Sequence, residues 1–191
     1  CVLRAYSPLR TVAGGLLVSP LPPELRAKDP ELADKLHLLQ SLPELRDAAE
    51  ALGGGKAEAK AREEARAQLV CGALTLRGAE GADEARLRAL TGMPRAAVDA
   101  ALQLLSTRGE ALCWDKEGRA WIAKLPFEKL LAACLERGVE LHRREPLKPG
   151  FTRGALCTGW SRNLPPKLGQ KVLDQAIKQG LLVTEGEGLR L

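Results

Sequence analysis

The chain has 191 residues, 45% hydrophobic and 28% charged, a balance that excludes a disordered or low-complexity polymer. No apolar run approaches the roughly 18 residues of a spanning helix and no signal peptide is visible, so no membrane partner is expected and the cytoplasm is the expected compartment. The formal net charge of +5 is unevenly placed: residues 1–140 hold 20 basic and 20 acidic side chains, whereas residues 141–191 hold nine basic against four acidic. Contact with a polyanion is therefore expected in the last quarter, if anywhere.

The five cysteines (Cys1, Cys71, Cys113, Cys134, Cys157) are odd in number and never at CxxC spacing, and His37 and His142 lie far apart. Neither a metal site nor a disulfide framework is expected. The chain opens on Cys1 inside a strand-like run and reads as a piece of a longer protein.

Residues 1–23 carry β signals. Val2, Leu3 and Tyr6 form one short run that Ser7-Pro8 breaks, and Thr11 to Val18 forms another, closed by Pro20, Pro22 and Pro23. Two strands alone do not stand in water, so they are expected to belong to a larger sheet. From 24 to 55 the period turns helical: Leu32, Leu36, Leu39 and Leu42 form a stripe, Pro43 is expected to interrupt it, and Gly53-Gly54-Gly55 ends a second stretch.

A pattern then occurs twice, over 56–124 and 125–191. An Ala-rich helix from Lys56 to Leu76 precedes a short helix at 83–91, and Gly92 turns the chain. Pro94 opens a helix with Val98, Ala101, Leu102 and Leu105 on one face, and Gly109 ends it. Leu112-Cys113-Trp114 and Ala120-Trp121-Ile122 then flank the turn Asp115-Lys116-Glu117-Gly118. The second copy has a helix at 127–141, a short one near Arg153–Trp160, and a helix opened by Pro165-Pro166 and stopped by Gly180. Leu181-Leu182-Val183 and Leu189-Arg190-Leu191 close it around Glu185-Gly186-Glu187-Gly188. Pro94 to Gly109 and Pro165 to Gly180 span the same distance, offset by 71. Helix, short helix, turn, helix and hairpin is the winged-helix order. The fold class is thus mainly α with small β-hairpins, two tandem winged helices following a β-barrel remnant.

Chemistry is sparse. No GxxxxGK[ST] loop appears, Gly53-Gly54-Gly55 follows no strand, and nothing marks out a Ser-His-Asp or carboxylate pair. Catalysis is not expected, nor is a cofactor in this part of the chain. For nucleic acid, the first copy presents Arg95, Asp99 and Gln103 on its third helix, which is neutral. In the second, Lys167, Lys171, Asp174 and Lys178 share one helix face, with Arg153 and Arg162 upstream and Arg143 and Arg144 ending the preceding helix. These seven cations are the candidate phosphate contacts. Glu185 and Glu187 in the second wing oppose them. With three Trp, one Tyr and two Phe, an aromatic platform for single strands is not expected; Trp114, Trp121 and Trp160 are expected in cores or hairpins.

Two stretches resemble a known family. Val2-Leu3-Arg4-Ala5-Tyr6-Ser7-Pro8-Leu9-Arg10-Thr11-Val12-Ala13-Gly14-Gly15 resembles the last strands of the third domain in EF-Tu-like elongation factors, although Ala13 stands where a glycine is usual. His142-Arg143-Arg144-Glu145-Pro146-Leu147-Lys148-Pro149-Gly150-Phe151, followed by Leu156, is similar to the hinge between a long helix and a winged helix in bacterial selenocysteine-specific elongation factors (SelB). The resemblance covers the chain in order: barrel end, helical linker, two winged helices. It implies a GTPase that delivers selenocysteinyl-tRNA to the ribosome at UGA and reads an mRNA hairpin with the last of four winged helices. The two repeats here then match the first and second, and the GTP and Mg site lies outside this chain. RNA is the implied partner and a monomer is expected. A tandem winged-helix DNA-binding regulator is the alternative reading, and a protein-interaction scaffold the third.

Overall fold

The computed structural model describes residues 2–7, 9–15, 18, 19, 21, 25–51, 55–185 and 188–190. The expectations resting on Cys1, Pro8, Leu16, Leu17, Pro20, Pro22, Pro23, Gly53, Gly54, Gly186, Glu187 and Leu191, and on the Glu185 side chain, lie outside the described residues.

Strands β1 (Val2–Ala5) and β2 (Arg10–Gly14) pair antiparallel with a register shift between Leu3 and Arg4. Val2, Leu3, Tyr6, Leu9 and Val12 are all exposed, Tyr6 at 97%. The hairpin's apolar side chains are therefore not part of either buried core among the described residues.

Helix α1 (Leu32–Glu50) contains Pro43. The expected interruption there does not occur. Proline removes one backbone bond at a cost of about 3 kcal/mol, but Leu38, Leu39, Leu42, Leu45 and Ala49 pack against α2 (Lys56–Arg77) on both sides of it. Burial of that face holds the helix together through the defect.

After a 3-10 turn at Gly78–Glu80 come β3 (Ala82–Asp83), α3 (Glu84–Thr91) and α4 (Arg95–Thr107). Strands β4 (Ala111–Asp115) and β5 (Ala120–Ala123) form the first wing. The second unit follows with α5 (Lys124–Arg144), α6 (Arg153–Cys157), α7 (Pro166–Lys178), β6 (Val183–Glu185) and β7 (Gly188–Arg190).

The duplication is visible in detail. Helices α4 and α7 each have 13 residues, and Ala97, Ala101, Leu102 and Leu105 are buried as are Leu168, Val172, Leu173 and Ala176 at the offset positions. Gly109 (φ 70°) and Gly180 (φ 71°) end them alike. Both short helices are capped by a side chain: the Arg86 amide donates to Asp83 and the Ala155 amide to Thr152. The first sheet has the order β3-β5-β4. In the second, Phe151 bridges Leu189 of β7, which pairs with β6. The chain is thus a tandem winged-helix protein.

Two cores form and meet on one hairpin. Ala111, Trp121 and Ala123 face the first core, with α1 to α4. Leu112, Trp114 and Ile122, on the opposite pleat, pack with Phe127, Leu130, Leu168 and Val172 of the second unit. Period-two alternation in a strand normally separates core from solvent; here it separates one core from the other. Gly81 seats this hairpin: its φ is +62°, and a Cβ there would lie 2.3 Å from the Trp121 carbonyl oxygen.

Two substitutions check this architecture. Gly81→Ala forces both a glycine-only backbone region and a collision with backbone, so urea denaturation should show a loss of roughly 3 kcal/mol or more. Ile122→Ala, although it lies in the first unit's wing, should cost about 2–5 kcal/mol and broaden methyl resonances of Leu168 and Val172 in the second unit. If only first-unit resonances change, the shared hairpin is refuted.

Candidate nucleic-acid interface

In a winged helix the third helix and the wing are the surfaces available to nucleic acid. In the first unit both are tied up. Glu84, at the start of α3 and only 9% exposed, accepts from Arg95 Nε at 2.9 Å and from Arg119 Nη1 at 2.8 Å. Arg119 also pairs with Asp99 on α4. It ends the wing turn with φ of +50°, which sends its guanidinium back over the helix rather than outward. Two arginines and two carboxylates cancel, and the wing is fastened to its own recognition helix. The rest of the exposed α4 surface is Ala96, Ala100, Gln103, Ser106 and Thr107, without the Arg and Asn side chains that read base edges.

The second unit distributes its seven candidate cations over several surroundings. Lys167, at the start of α7, reaches across to the first unit's wing: Nζ lies 3.0 Å from Asp115 Oδ1, 3.0 Å from Oδ2 and 3.1 Å from Glu117 Oε2. Hydrogen bonding to Asp115, then to Glu117, raises the Lys167 ammonium above its ordinary value. The reciprocal bond from Lys167, helped by the Gly118 amide, lowers the Asp115 carboxyl. Lys171 is half-buried and stands near β4. There the Cys113 thiol is pushed up by burial and by Asp115, while Lys116 and Lys171 act the other way. Arg153 Nη1 pairs with Asp174 Oδ1 at 2.8 Å, both exposed. Arg144 pairs with Glu140 one turn back, and the Glu140 carboxyl is lowered chiefly by its hydrogen bond from Arg137.

Arg143, Arg162 and Lys178 are exposed and, with Lys171, form no ion pair among the described residues. The lysine face read from helical spacing is therefore not one continuous surface. Its N-terminal end meets the first wing, its middle carries the Arg153–Asp174 pair, and its last lysine faces solvent. Arg153 and Arg162 instead share a groove of about 440 Å³ between α6 and α7 with Gly154, Ser161 and Gln170. The residues that sequence reasoning overlooked are Asp115 and Glu117, the acidic partners of Lys167. Their opposite charges are visible in the chain, but nothing local says that they meet.

Trp114, Trp121 and Trp160 are all partly buried against the two cores. Among the described residues no group of His, Cys, Asp or Glu is placed to hold a metal ion, and no helix is long and apolar enough to cross a membrane. Cys134, in the second core, is pushed up to about 11 by burial and then by Cys157, which makes it a packing residue rather than a nucleophile.

Comparison with known proteins bears on residues 135–191, which match a family model described as "Elongation factor SelB, winged helix". Over all 191 residues the chain is 30% identical to a selenocysteine-specific elongation factor of Desulfomicrobium baculatum, covering 100% of this chain and 26% of that protein. The chain thus spans about a quarter of the length of the curated relative it matches.

The bridge between units gives a pH signature. Asp115, lowered in the fold, contributes above the ordinary carboxylate range and ceases to as pH falls through its folded value. Lys167, raised in the fold, contributes below the ordinary ammonium value and ceases to as pH rises through its folded value. The difference in urea midpoint between the wild type and Lys167→Ala should be present at neutral pH. It should shrink on acidification through the carboxylate range and also in about 1 M salt, where screening reaches about 3 Å. A difference that persists unchanged in acid shows that Lys167 acts through packing instead.

Proposed function

Because the chain belongs to the SelB family of selenocysteine-specific elongation factors, we propose that it is the RNA-facing arm of such a factor, a spacer between a tRNA-binding body and an RNA-reading tip. In this reading the intact protein is a cytoplasmic GTPase that delivers selenocysteinyl-tRNA to the ribosome at UGA in response to an mRNA hairpin. GTP and Mg belong to its body. The two units here are the first two winged helices of its extension, non-catalytic and without a cofactor. Residues 1–23 are the last strands of the third barrel domain, 24–55 the linker, 56–124 the first unit and 125–191 the second.

The observation that carries the reading is the shared wing. A hairpin that completes both cores cannot also probe a groove, and the first recognition helix is neutralised by Glu84 and Asp99. Such a unit serves to hold distance and angle. The second unit keeps cations that face outward, chiefly Arg143, Arg162 and Lys178, with Lys171 half-buried beside β4 and Arg153 and Arg144 in exposed pairs. Lys167 serves the junction. No observation favours a DNA-binding regulator, whose recognition helices need free faces.

A gel-shift titration of the chain with an RNA stem-loop and with duplex DNA, each at two salt concentrations, tests this. The expected result is modest RNA binding that weakens steeply with salt and shows little sequence preference. Tight, sequence-selective binding to duplex DNA would defeat the arm reading.

A further inference from the structure

The two units share one fold, so places where their charges differ report a difference in use. The groove between the short helix and the third helix differs sharply. Matching the capped helices at their N-caps, Asp83 and Thr152, sets Glu84 opposite Arg153. Matching α4 with α7 sets Asp99 opposite Gln170 and Arg95 opposite Pro166. Glu84 and Asp99 are the two carboxylates that close the first unit's surface. In the second unit one is replaced by a cation and the other by a neutral amide.

What remains is an open, positively biased trough. Arg153, Arg162, Ser161 and Gln170 line it along with Asp174, the carboxylate partner of Arg153, and it continues past Thr158 and Gly159. Arg162 has no ion pair among the described residues. A Cβ placed at Gly154 or Gly159 would meet nothing within 4 Å, so a ligand's backbone can approach the chain closely. No aromatic ring lines it, Trp160 being half-buried with Nε1 donating to the Leu156 carbonyl at 2.6 Å, and its apolar walls are Leu164, Pro165, Pro166 and the buried Leu173. That lacks the aromatic surface for stacking a base and the aromatic anchor common at protein hot spots. Guanidinium forks and an amide without either favour phosphate oxygens.

We propose that the trough between α6 and α7 grips the phosphodiester backbone of RNA. Arg162 makes the leading phosphate contact, Gln170 donates a supporting hydrogen bond, and Arg153 joins by exchanging Asp174 for phosphate. The proposal rests on the RNA-facing reading above and narrows it to one surface.

Fluorescence anisotropy of a labelled RNA stem-loop with the 191-residue chain at two salt concentrations tests it. Arg153→Ala with Arg162→Ala should weaken binding at least about tenfold at low salt and flatten the log–log salt slope by about 0.9 for each phosphate no longer neutralised. Gln170→Glu, which restores the first unit's carboxylate, should weaken binding without lowering the melting temperature. Asp174→Ala, which releases Arg153, should tighten it severalfold. Lys56→Ala with Lys60→Ala, a charge-matched change on α2, should stay within about twofold. If the wild type binds RNA but Gln170→Glu and the double arginine variant bind as well as it does, the trough is overturned and the arm reading stands. If the wild type binds no RNA at low salt, both fall. Preference for polyglutamate over RNA assigns the trough to an acidic protein and overturns the proposal.

Discussion

The structure depends on one hairpin with no solvent face. A strand pair on the edge of a small domain ordinarily packs one side and wets the other. In β4 up to Trp114 and in β5 the residues of both pleats are apolar, and each pleat packs into a different core. Separating the units would strip Leu112, Trp114 and Ile122 at about 25 cal/mol per Å² of apolar surface. The Lys167 bridge to Asp115 and Glu117 is exposed, and exposed ion pairs contribute little. Apolar contact therefore sets the strength of the junction, and the bridge sets its register: three acceptor oxygens on one ammonium specify where α7 begins relative to the wing.

From that junction follows an asymmetry between copies of one fold. The first unit is surrounded, with α1 on one side and the second unit on the other, and its remaining functional surface is closed by the Arg95, Arg119, Glu84 and Asp99 cluster. The second unit has its third helix in contact with a neighbour at one end only, so α6, the α6–α7 turn and the last turn of α7 remain open. The net positive charge of residues 141–191 resides where surface is available to use it. Charge and accessibility thus agree, although they arise from separate features.

Much of this was legible in the residues. Helices α3, α4, α6 and α7 fall close to where the apolar period, the prolines at Pro94 and Pro165-Pro166, and Gly92, Gly109 and Gly180 put them, because these are local signals. The continuity of α1 was not legible, since a proline's local cost is offset only by packing against a helix further along the chain. Nor was the junction. Yet a sign of it lay in Ala120-Trp121-Ile122 and Leu112-Cys113-Trp114, where no polar residue alternates. Uninterrupted apolar strands mean burial on both faces, and a two-sided strand in a unit this small needs a second body. The candidate cations were legible as a set, but not how they divide. Spacing places Lys167, Lys171 and Lys178 on one side of a helix and says nothing of what that side meets.

The loop at 145–150 completes the case for the second unit as a fixed platform. Its resemblance to a hinge invites motion, and Leu147 at its tip is 97% exposed. Its far end is nonetheless held. Phe151 is buried, exchanges two backbone hydrogen bonds of 2.8 Å with Leu189, and receives the His142 ring edge-on at 4.9 Å. Gly150 and Gly188 cross so closely that a Cβ on either would lie 3.1–3.3 Å from the other's backbone. Helix α5 and the second wing are therefore clamped to each other across the loop, whose tip is closed by Lys148 bonding to Glu145 through its amide and its ammonium. Bending at this loop would have to break the Phe151 bridge and open the second core. A body that resists bending both here and at the shared hairpin is suited to setting a distance, and the physical basis for that stiffness is buried apolar surface rather than charge.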